Sequence, residues 1–486
     1  MSDEHWPKES PVLSAEQLEL LVSNNLSKEV TLQTIIQKSE SFPIKFPVDT
    51  AKCANLLAKG VPETLLQRNV NSVYPILHES ALPLFIQFLS HKKKFGSKIE
   101  KTYYKDFTVE QLVDRLLSKR AVMFCGNHDL FMLLDKYTNY GKWELVGTDK
   151  EKPPTILKNC LSYDEIKLSA LLSVSSYTYF VNDGSRNNCG KYSEQREQLE
   201  DFGIIIGLIG TRLRKPEVME YQEIVVSKEQ NTKSKGYGHK VASIQGIFLN
   251  FYGESNSTYH DLKKQLEDKR KYTKLNDDKK YFNNDVYEKR MSLSFDTLLI
   301  EANERAKNQN KMAYVFVVGI GLGVWRISLH QNKMFISAFC KRIKFLGHKL
   351  NHISDVLFSY IDEGSGDDSL GDQNVIPIAE HRNGGIKVHI KNSNPHVKLT
   401  GQDEGKLLVV SYAWDGNSLP GNEFWHGGLD TSGDPAAACS TQVAELHNPH
   451  INPKVSGANL RIATLNNGVV PFCDYIKMKQ ESGIGK

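Results

Sequence analysis

Four carboxylates are concentrated in one short stretch, between an apolar run and a helix start. Residues 411–447 read SYAWDGNSLPGNEFWHGGLDTSGDPAAACSTQVAELH. The acids in this stretch are Asp415, Glu423, Asp430 and Asp434. Asp415 directly follows the apolar run LLVVSYAW (407–414), and open α/β sheets bind ligands at the carboxyl ends of such strands. Carboxylates at such a position can stabilise positive charge or activate water for attack on a sugar carbon.

These carboxylates have competing interpretations. Asp434 precedes Pro435 and three alanines, so it could simply be the N-cap of the helix that starts there. The acids could also bind ribose hydroxyls or an adenine amine, act at C1″ of a sugar, or pair with a guanidinium group. The N–H groups at the helix start would form an anion site beside them.

A second glycine-rich loop follows the apolar run AYVFVV (313–318). Its residues are Gly319, Ile320, Gly321, Leu322, Gly323, Val324 and Trp325. Alternating glycines let backbone N–H groups curl around an anion, usually a phosphate, with no Cβ in the way. The alternative is a tight turn that needs glycine only for steric reasons. The G-x-G-x-x-G dinucleotide fingerprint and the P-loop pattern are both absent from this segment.

Three of the five tryptophans belong to these two loops, namely Trp325, Trp414 and Trp425. Packing in the core is the commoner use of tryptophan. The neighbouring glycines would nevertheless leave at least one of these rings able to wall a ligand cleft.

The composition is that of an ordinary globular protein. Of the 486 residues, 40% are hydrophobic and 24% are charged, and the net charge is +4. A surplus this small gives no reason to expect a nucleic-acid partner. The polar first residues do not read as a signal peptide, and no stretch approaches the ~18–20 apolar residues of a membrane span. The seven scattered cysteines favour free thiols, so we expect a cytoplasmic or nuclear protein without a membrane partner.

Helix-like and strand-like patterns alternate along the chain, which predicts an α/β fold with a mixed or parallel sheet covered on both faces. The clearest amphipathic helix lies at 107–120, with Thr108 and Gln111 as a capping box. The predicted organisation is a frayed tail at 1–30, an α/β region at 31–260, a charged linker or exposed helix at 261–290, and a ligand-binding domain at 291–486.

Two further segments carry reactive or charged side chains. Cys125 and His128 flank a Gly-Asn pair after an apolar run, but their spacing on a strand would direct them to opposite faces, so we expect a turn rather than a nucleophile pair. The polar loop 182–188 is either a plain turn or a wall of the ligand cleft, where Arg186 would suit a phosphate or an acidic surface.

Together, the two glycine-rich loops resemble the loops with which macrodomains hold ADP-ribose. The segment AWDGNSLPGNEFWHGG…SGDPAAACST is similar to the MavL-type macrodomains, which are arginine-specific ADP-ribosylhydrolases. The resemblance is specific over 314–325 and 410–449 and weaker over the rest of 291–486. The pyrophosphate-type loop comes first here, which suggests a permuted arrangement. Residues 1–290 look like the accessory region of the long eukaryotic relatives.

The resemblance implies a macrodomain-like, three-layer mixed sheet in 291–486 and a hydrolase that cleaves ADP-ribose from protein arginine. It also implies ADP-ribosylated protein, with ubiquitin as a candidate, as the partner, and neither a cofactor nor a metal. The alternatives are a non-catalytic ADP-ribose reader and a scaffold protein.

Site roles follow from the same resemblance. The residues matched to catalytic positions are Asp415, Glu423 and Asp434, with Asp430 competing for the last position. The residues matched to ligand contacts are Asn422, Trp425, Gly427, Gly428, Asp430 and the loop from Gly319 to Trp325. Glu423 stands where the bacterial effector carries Asp, and one methylene would move the carboxylate by about 1 Å, which affects catalysis more than binding.

Overall fold

The computed structural model describes residues 6–21, 29–126, 128–239, 243–276, 279–361 and 374–484. Within these ranges the chain forms sixteen strands and sixteen α-helices. The strands are β1 (Tyr74–His78), β2 (Met123–Cys125), β3 (Leu130–Met132), β4 (Thr138–Tyr140), β5 (Leu172–Tyr179), β6 (Phe202–Leu208), β7 (Val225–Ser227), β8 (Tyr272–Lys274), β9 (Lys280–Asn283), β10 (Ala313–Val318), β11 (Ile353–Ser359), β12 (Asn374–Pro377), β13 (Gly385–Ile390), β14 (Leu407–Ala413), β15 (Arg461–Thr464) and β16 (Gly468–Pro471). The helices are α1 (Ala15–Glu19), α2 (Leu32–Glu40), α3 (Cys53–Ala58), α4 (Glu63–Asn71), α5 (Leu82–Phe95), α6 (Lys98–Tyr104), α7 (Val109–Ser118), α8 (Tyr163–Ser169), α9 (Tyr221–Ile224), α10 (Ile244–Phe251), α11 (Tyr259–Leu262), α12 (Asn284–Asn308), α13 (His330–Leu346), α14 (Gly433–Ser440), α15 (Val443–Leu446) and α16 (Phe472–Ile484).

One large mixed sheet organises the fold. Its ten strands follow the order β12-β13-β11-β10-β14-β6-β5-β1-β15-β16. The five neighbours from β13 to β6 are parallel, and β5 is antiparallel to both β6 and β1. The carboxyl ends of five adjacent strands therefore lie along a single edge, where parallel sheets place their ligand sites.

Both faces of this sheet are buried. Along β10, Val315 and Val317 face a core shared with α12 and α13, whereas Tyr314 and Phe316 face a core shared with α5, α7 and α14. Successive side chains of a strand point to opposite faces, so a strand buried on both sides reads as a continuous apolar run. The predicted α/β class with a sheet covered on both faces is confirmed.

The sheet takes its strands from both halves of the chain. β6, from the predicted region 31–260, pairs with β14, from the predicted domain 291–486, over Val409–Ala413. β1 pairs with β15 in the same way. The segment at 261–290 therefore does not separate two sheets.

The segment 261–290, predicted as a linker or exposed helix, has defined local structure. This segment contains part of α11, the hairpin of β8 and β9, and the first two turns of α12. Arg290 is buried, and its Nη2 donates to the carbonyl oxygens of Ala170 (3.1 Å) and Ile209 (2.8 Å). The charge-rich composition does not reveal this burial, because the hydrogen-bond acceptors of the buried arginine lie in segments distant along the chain.

The described part of the predicted frayed tail is packed against the body of the protein. The ring of Trp6 makes an edge contact with Phe251, and Arg342 Nη2 donates to the Pro7 carbonyl oxygen at 2.8 Å. Helix α1 begins with a capping box at Ser14. Residues 1–5 and 22–28 of the predicted tail lie outside the described residues.

The sequence located several elements correctly. Helix α7 begins after Thr108, whose hydroxyl accepts from the Gln111 N–H while the Gln111 side chain accepts from the Thr108 N–H, as the capping box predicts. Five apolar residues whose spacing is typical of one face of a helix are all buried in α12, namely Phe295, Leu298, Leu299, Ala302 and Ala306. Within the described ranges, no helix has both the length and the apolar character required to cross a bilayer.

The mixed origin of the sheet predicts that residues 291–486 do not fold alone. Without 1–290, β14 loses β6 as its partner, and its buried apolar face is left uncovered. We expect the fragment to show no cooperative transition in a calorimetric or circular-dichroism melt, whereas the full chain shows one. A cooperative transition in the isolated fragment would contradict this prediction.

Candidate active site

Three loops meet at the carboxyl edge of the sheet because β10, β14 and β6 are parallel neighbours. They are the glycine loop (319–325), the acid loop (414–432) and the segment 209–215 that follows β6. A Cβ atom added to Gly210 would lie 2.3 Å from the backbone nitrogen of Gly321, and one added to Gly416 would lie 2.6 Å from Ile209 Cδ1. The segment 209–215 thus packs against both of the loops that the sequence singled out.

The acid cluster comprises Asp415, Glu423 and Asp434, which a network of hydrogen bonds holds together. Asp434 accepts from the backbone N–H groups of Asp415 (2.9 Å) and Gly421 (2.8 Å). Asn422 Nδ2 donates to Asp415 Oδ2 at 2.8 Å. Each acid is therefore fixed by a contact within the loop, and the structure brings together the three acids that the resemblance matched to catalytic positions.

Asp434 does not cap its helix. Helix α14 begins at Gly433 with Ser432 in the N-cap position, so Asp434 is its second residue. Its carboxylate is buried (1% exposed) and turns back to the acid loop. The N-cap interpretation is therefore wrong, because the Asp434 carboxylate accepts from two backbone N–H groups of the acid loop and not from N–H groups of its own helix.

Asn422 links the acid loop to β2 through hydrogen bonds. Its backbone is in the left-handed region (φ 35°), which asparagine tolerates better than most residues. Its Oδ1 accepts from the Phe124 N–H at 2.8 Å, and its Nδ2 donates to the Phe124 carbonyl oxygen at 3.2 Å. The sequence placed Asn422 in the site but gave no signal for Phe124, because only tertiary packing brings β2 to the acid loop.

Cys125, the next residue of β2, also contacts Asn422. Its thiol donates to Asn422 Oδ1 at a sulfur–oxygen distance of 3.6 Å. Burial, reinforced by the negative charges of Glu423 and Asp415, raises the pKa of the Cys125 thiol. A neutral thiol is a poor nucleophile, which agrees with the expectation that Cys125 is not part of a nucleophile pair.

Burial disfavours the charged form of each acid in the cluster. Burial and the negative charge of Glu423 raise the pKa of Asp415 to about 7, against the opposing effects of the Asn417 N–H, Arg212 and Arg120. Burial also raises the pKa of Glu423 and raises that of Asp434 well above its usual range. A carboxyl with a pKa near 7 can both give and take a proton at neutral pH.

The glycine loop exposes its backbone to solvent but only some of its side chains. Ile320 and Leu322, both matched to ligand contacts, are buried in the core. Gly321 has φ 75°, and a Cβ there would lie 2.8 Å from the backbone nitrogen of Thr211. No atom lies within 4 Å of where a Cβ on Gly323 would be, and Val324 is 62% exposed. A ligand at this loop would therefore contact its backbone and Val324.

Two of the three loop tryptophans belong to the core. Trp425 packs against Phe42 and Phe46, and its Nε1 donates to the Pro420 carbonyl oxygen at 2.8 Å. Trp414 is also buried and donates to the Ser418 carbonyl oxygen. The position of Trp425 does not support the predicted ligand contact, and Trp325, which is partly exposed, is the remaining ring for a cleft wall.

The far end of the acid loop is more exposed. Gly427 and Asp430 are exposed, and Gly428 is partly buried. Arg186 donates through Nε to the Asp430 carbonyl oxygen at 3.3 Å and through Nη2 to that of Thr431. The loop at 182–188 therefore reaches the site and is more than a plain turn, although Arg186 contacts backbone rather than carboxylates.

Tyr360 lies at the carboxyl edge of the sheet, at the end of a strand that the sequence analysis did not connect with the site. It follows β11, the neighbour of β10, and its side chain is 66% exposed although its backbone is in the left-handed region (φ 55°). Asn392 Oδ1 accepts from its N–H at 3.1 Å, and Asn394 Oδ1 accepts from its hydroxyl at 2.8 Å. A bulky residue in this conformation is strained, and such strain concentrates at ligand sites.

The site combines carboxylates with backbone donors. Across the ranges that the structure describes, no group of three His, Cys, Asp or Glu side chains is placed to bind a metal ion. The acid cluster can accept hydrogen bonds from hydroxyl or guanidinium groups and can exchange protons with water. The glycine loop offers backbone N–H groups to an anion beside it.

The raised pKa of Asp415 predicts a pH-dependent stability. A carboxyl with a folded-state pKa near 7 and an unfolded value near 4 stabilises the fold while protonated, and this contribution is lost as the pH rises through 7. Lowering the pH from 8 to 6 should therefore stabilise the wild type by about 1 kcal/mol through this group. In Asp415→Asn this gain should disappear from the pH dependence of Tm, whereas Asp430→Asn, an exposed control, should retain it. Equal pH dependence in wild type and Asp415→Asn would contradict the assignment.

Comparison with known proteins identifies the family of the chain. A family model described as "MavL-like: ADP-ribosylhydrolase MavL-like" matches residues 33–478, a range that includes most of the region predicted as accessory. ADP-ribosylarginine hydrolase CG3568 of Drosophila melanogaster is 43% identical over 455 residues, covering 90% of this chain and 87% of the relative. ADP-ribosylarginine hydrolase CG2909 of the same organism is 39% identical over 497 residues, covering 98% of this chain and 96% of the relative. The chain is a member of the MavL-like ADP-ribosylhydrolase family.

Proposed function

We propose that this protein hydrolyses the N-glycosidic bond between ADP-ribose and an arginine side chain of a protein. The observation that carries the proposal is the acid cluster, buried and fixed at the carboxyl edge beside the glycine loop, in a member of an ADP-ribosylhydrolase family. The two fly relatives, both named as ADP-ribosylarginine hydrolases, support arginine as the attachment site.

The order of the strands suggests how ADP-ribose lies in the site. Neighbouring strands are about 4.8 Å apart, so the ends of β14, β10 and β11 span roughly 10 Å. We place the distal ribose over the acid loop, the pyrophosphate against the N–H groups of Gly319, Gly321 and Gly323, and the adenine against Tyr360. The resulting site has macrodomain-like character, with loops whose chain order is permuted.

The three acids would have different roles. Both oxygens of Asp434 already accept from backbone N–H groups, so Asp434 holds Asp415 and Gly421 in place. Asp415 and Glu423 are less buried and are the acids that can contact the distal ribose and the guanidinium group. Ser432 Oγ donates to Glu423 Oε2 at 3.3 Å, which limits the movement of the longer glutamate side chain.

The reaction needs only water as a second reactant. The bond from C1″ to the guanidine nitrogen breaks while a water oxygen bonds to C1″. A carboxylate of the acid cluster stabilises the positive charge that develops on the sugar. A second carboxyl takes a proton from the water, and the released arginine carries the proton away as a guanidinium ion. The products are ADP-ribose and unmodified arginine.

An assay on arginine-ADP-ribosylated protein tests the proposal. Wild type should release free ADP-ribose, and the double variant Glu423→Gln, Asp434→Asn should lose at least about 100-fold in rate, because the first change removes a reacting carboxylate and the second removes the support of Asp415. ADP-ribosylated ubiquitin should be one of the substrates tested, since the family resemblance suggests it.

Release by wild type that does not exceed release by the double variant would contradict catalysis. A binding measurement would then separate two explanations. If wild type still binds ADP-ribose in a calorimetric titration, the protein is a reader. If it shows neither heat nor a thermal shift with ADP-ribose, the site does not take this ligand.

The proposed adenine contact makes a separate prediction. Tyr360→Ala should weaken ADP-ribose binding by about 5- to 100-fold, the range that loss of one base–aromatic stack causes. Phe95→Ala is the matched control, because Phe95 is also an exposed aromatic residue (47%) but ends helix α5, about 21 Å from the carboxyl edge where that helix begins. Equal affinities of the Tyr360 variant and wild type in a calorimetric titration would place the adenine elsewhere.

A further inference from the structure

We propose that Arg120 is a positioning residue, which holds the peptide on both sides of Asp415 and contributes positive charge that favours the ionised form of the Asp415 carboxyl. The inference rests on the proposed function, because it concerns how the same acid cluster is maintained. Arg120 lies between α7 and β2, in a part of the chain that the sequence assigned to the accessory region.

The contacts of Arg120 surround Asp415. Its Nη1 donates to the carbonyl oxygen of Gly416, the residue after Asp415. Its guanidinium carbon lies 4.3 Å from the ring centroid of Trp414, the residue before Asp415. Its Nη2 donates to the Ser169 carbonyl oxygen at 3.3 Å. One side chain therefore contacts both chain neighbours of the acid and ties them to the end of helix α8.

Arg120 carries a positive charge that no nearby acid pairs with directly. The side chain is 3% exposed, and in the part of the chain that the structure describes it takes part in no ion pair. Its Nε is buried without a hydrogen-bond partner in the same described part. Burying an unpaired charge is costly, so the arrangement requires compensation from charges somewhat further away.

The acid cluster provides this compensation. Burial and the charge of Arg212 lower the pKa of Arg120 to about 9, and Asp415 and Asp434 are among the groups that oppose this effect. One fully buried carboxyl, two partly buried carboxyls and one unpaired cation thus lie close enough to influence one another. Each charged form stabilises the other, because electrostatic interactions are strong where water is excluded.

Arg212 also faces Asp415, but unlike Arg120 it pairs directly with a carboxylate, that of Glu220, which it shares with Arg290. Its Nε and Nη2 form a two-point contact with the Glu220 carboxylate at 3.0 and 2.9 Å. Its Nη1 donates to Asn417 Oδ1 at 2.7 Å, and the Asn417 N–H donates to Asp415 Oδ1 at 3.3 Å. Arg212 therefore orients the acid loop, whereas Arg120 contributes the uncompensated charge.

The ionisable groups that face Asp415 affect the pH at which its carboxyl ionises. They are Glu423 and Asp434 from the C-terminal part of the site, Arg212 from the segment after β6, Arg120 from the segment before β2, and Cys125 from β2. Of these, only Arg120 and Arg212 favour the charged form of Asp415. Removal of the Arg120 charge should therefore raise the pH at which Asp415 ionises.

The test compares Arg120→Gln, which removes the charge, with Arg120→Lys, which retains a basic group. In Arg120→Gln the acidic limb of the pH profile of kcat should move up by roughly 1 pH unit, as expected for loss of an opposite charge near a carboxylate. In Arg120→Lys the limb should move less than in Arg120→Gln, because a buried lysine amine loses its charge more readily than a guanidinium, and kcat should fall because lysine lacks the planar fork. The affinity for ADP-ribose at pH 9, where Asp415 is ionised in all variants, should change less than about threefold.

A matched control and an activity-independent measurement keep the result interpretable. Arg115 is equally buried on helix α7, and its guanidinium pairs with Glu165 instead of contacting the acid loop, so Arg115→Gln should lose stability but should not move the limb. The pH dependence of Tm should change between wild type and Arg120→Gln, and this change should vanish in an Asp415→Asn background. The Tm measurement holds even if wild type proves inactive, so failure of the proposed function is distinguishable from failure of this inference.

Two results would overturn the role of Arg120. One is an acidic limb and a Tm profile that are identical in wild type and a folded Arg120→Gln. The other is a shift of the same size in the Asp415→Asn background, which would show that Arg120 acts through another group.

Discussion

The parallel pairing of β14 with β6 and β10 is the constraint on which the rest of the structure depends. This pairing brings the ends of three strands to one edge, so that the acid loop, the glycine loop and the segment 209–215 occupy neighbouring positions. The middle strand, β14, comes from the last third of the chain, and β6 comes from the first half. The site therefore exists only when the whole chain has folded around one sheet.

The chemistry of the site follows from burial. A sheet covered on both faces leaves its carboxyl edge as the place where polar loops can gather, and the acids of these loops are partly removed from water. Burial favours the protonated form of a carboxyl, whereas the proposed reaction needs at least one ionised carboxylate. Backbone N–H groups and Asn422 of the acid loop offset the burial, together with two buried arginines from other segments of the chain.

Much of the local structure could be predicted from the sequence, because short-range patterns encode it. The capping box at Thr108, the apolar face of α12 and the buried runs at 313–318 and 407–414 appear where the patterns place them. The patterns failed where a partner from elsewhere in the chain decides the outcome. Arg290 looks like part of a solvated linker until Ala170 and Ile209 supply its acceptors, and Asp434 looks like a helix cap until Gly421 turns towards it.

The sequence by itself determined the α/β class, the family resemblance and the three acids of the cluster, because residue types and local spacing carry this information. The tertiary structure alone decided that both halves build one sheet, that Trp425 belongs to the core, that Phe124 and Arg120 contact the acid loop, and that Tyr360 lies at the same edge of the sheet. The physical reason is that strand order and the burial of a charged or aromatic side chain depend on contacts between residues far apart in the chain, and no local pattern records such contacts.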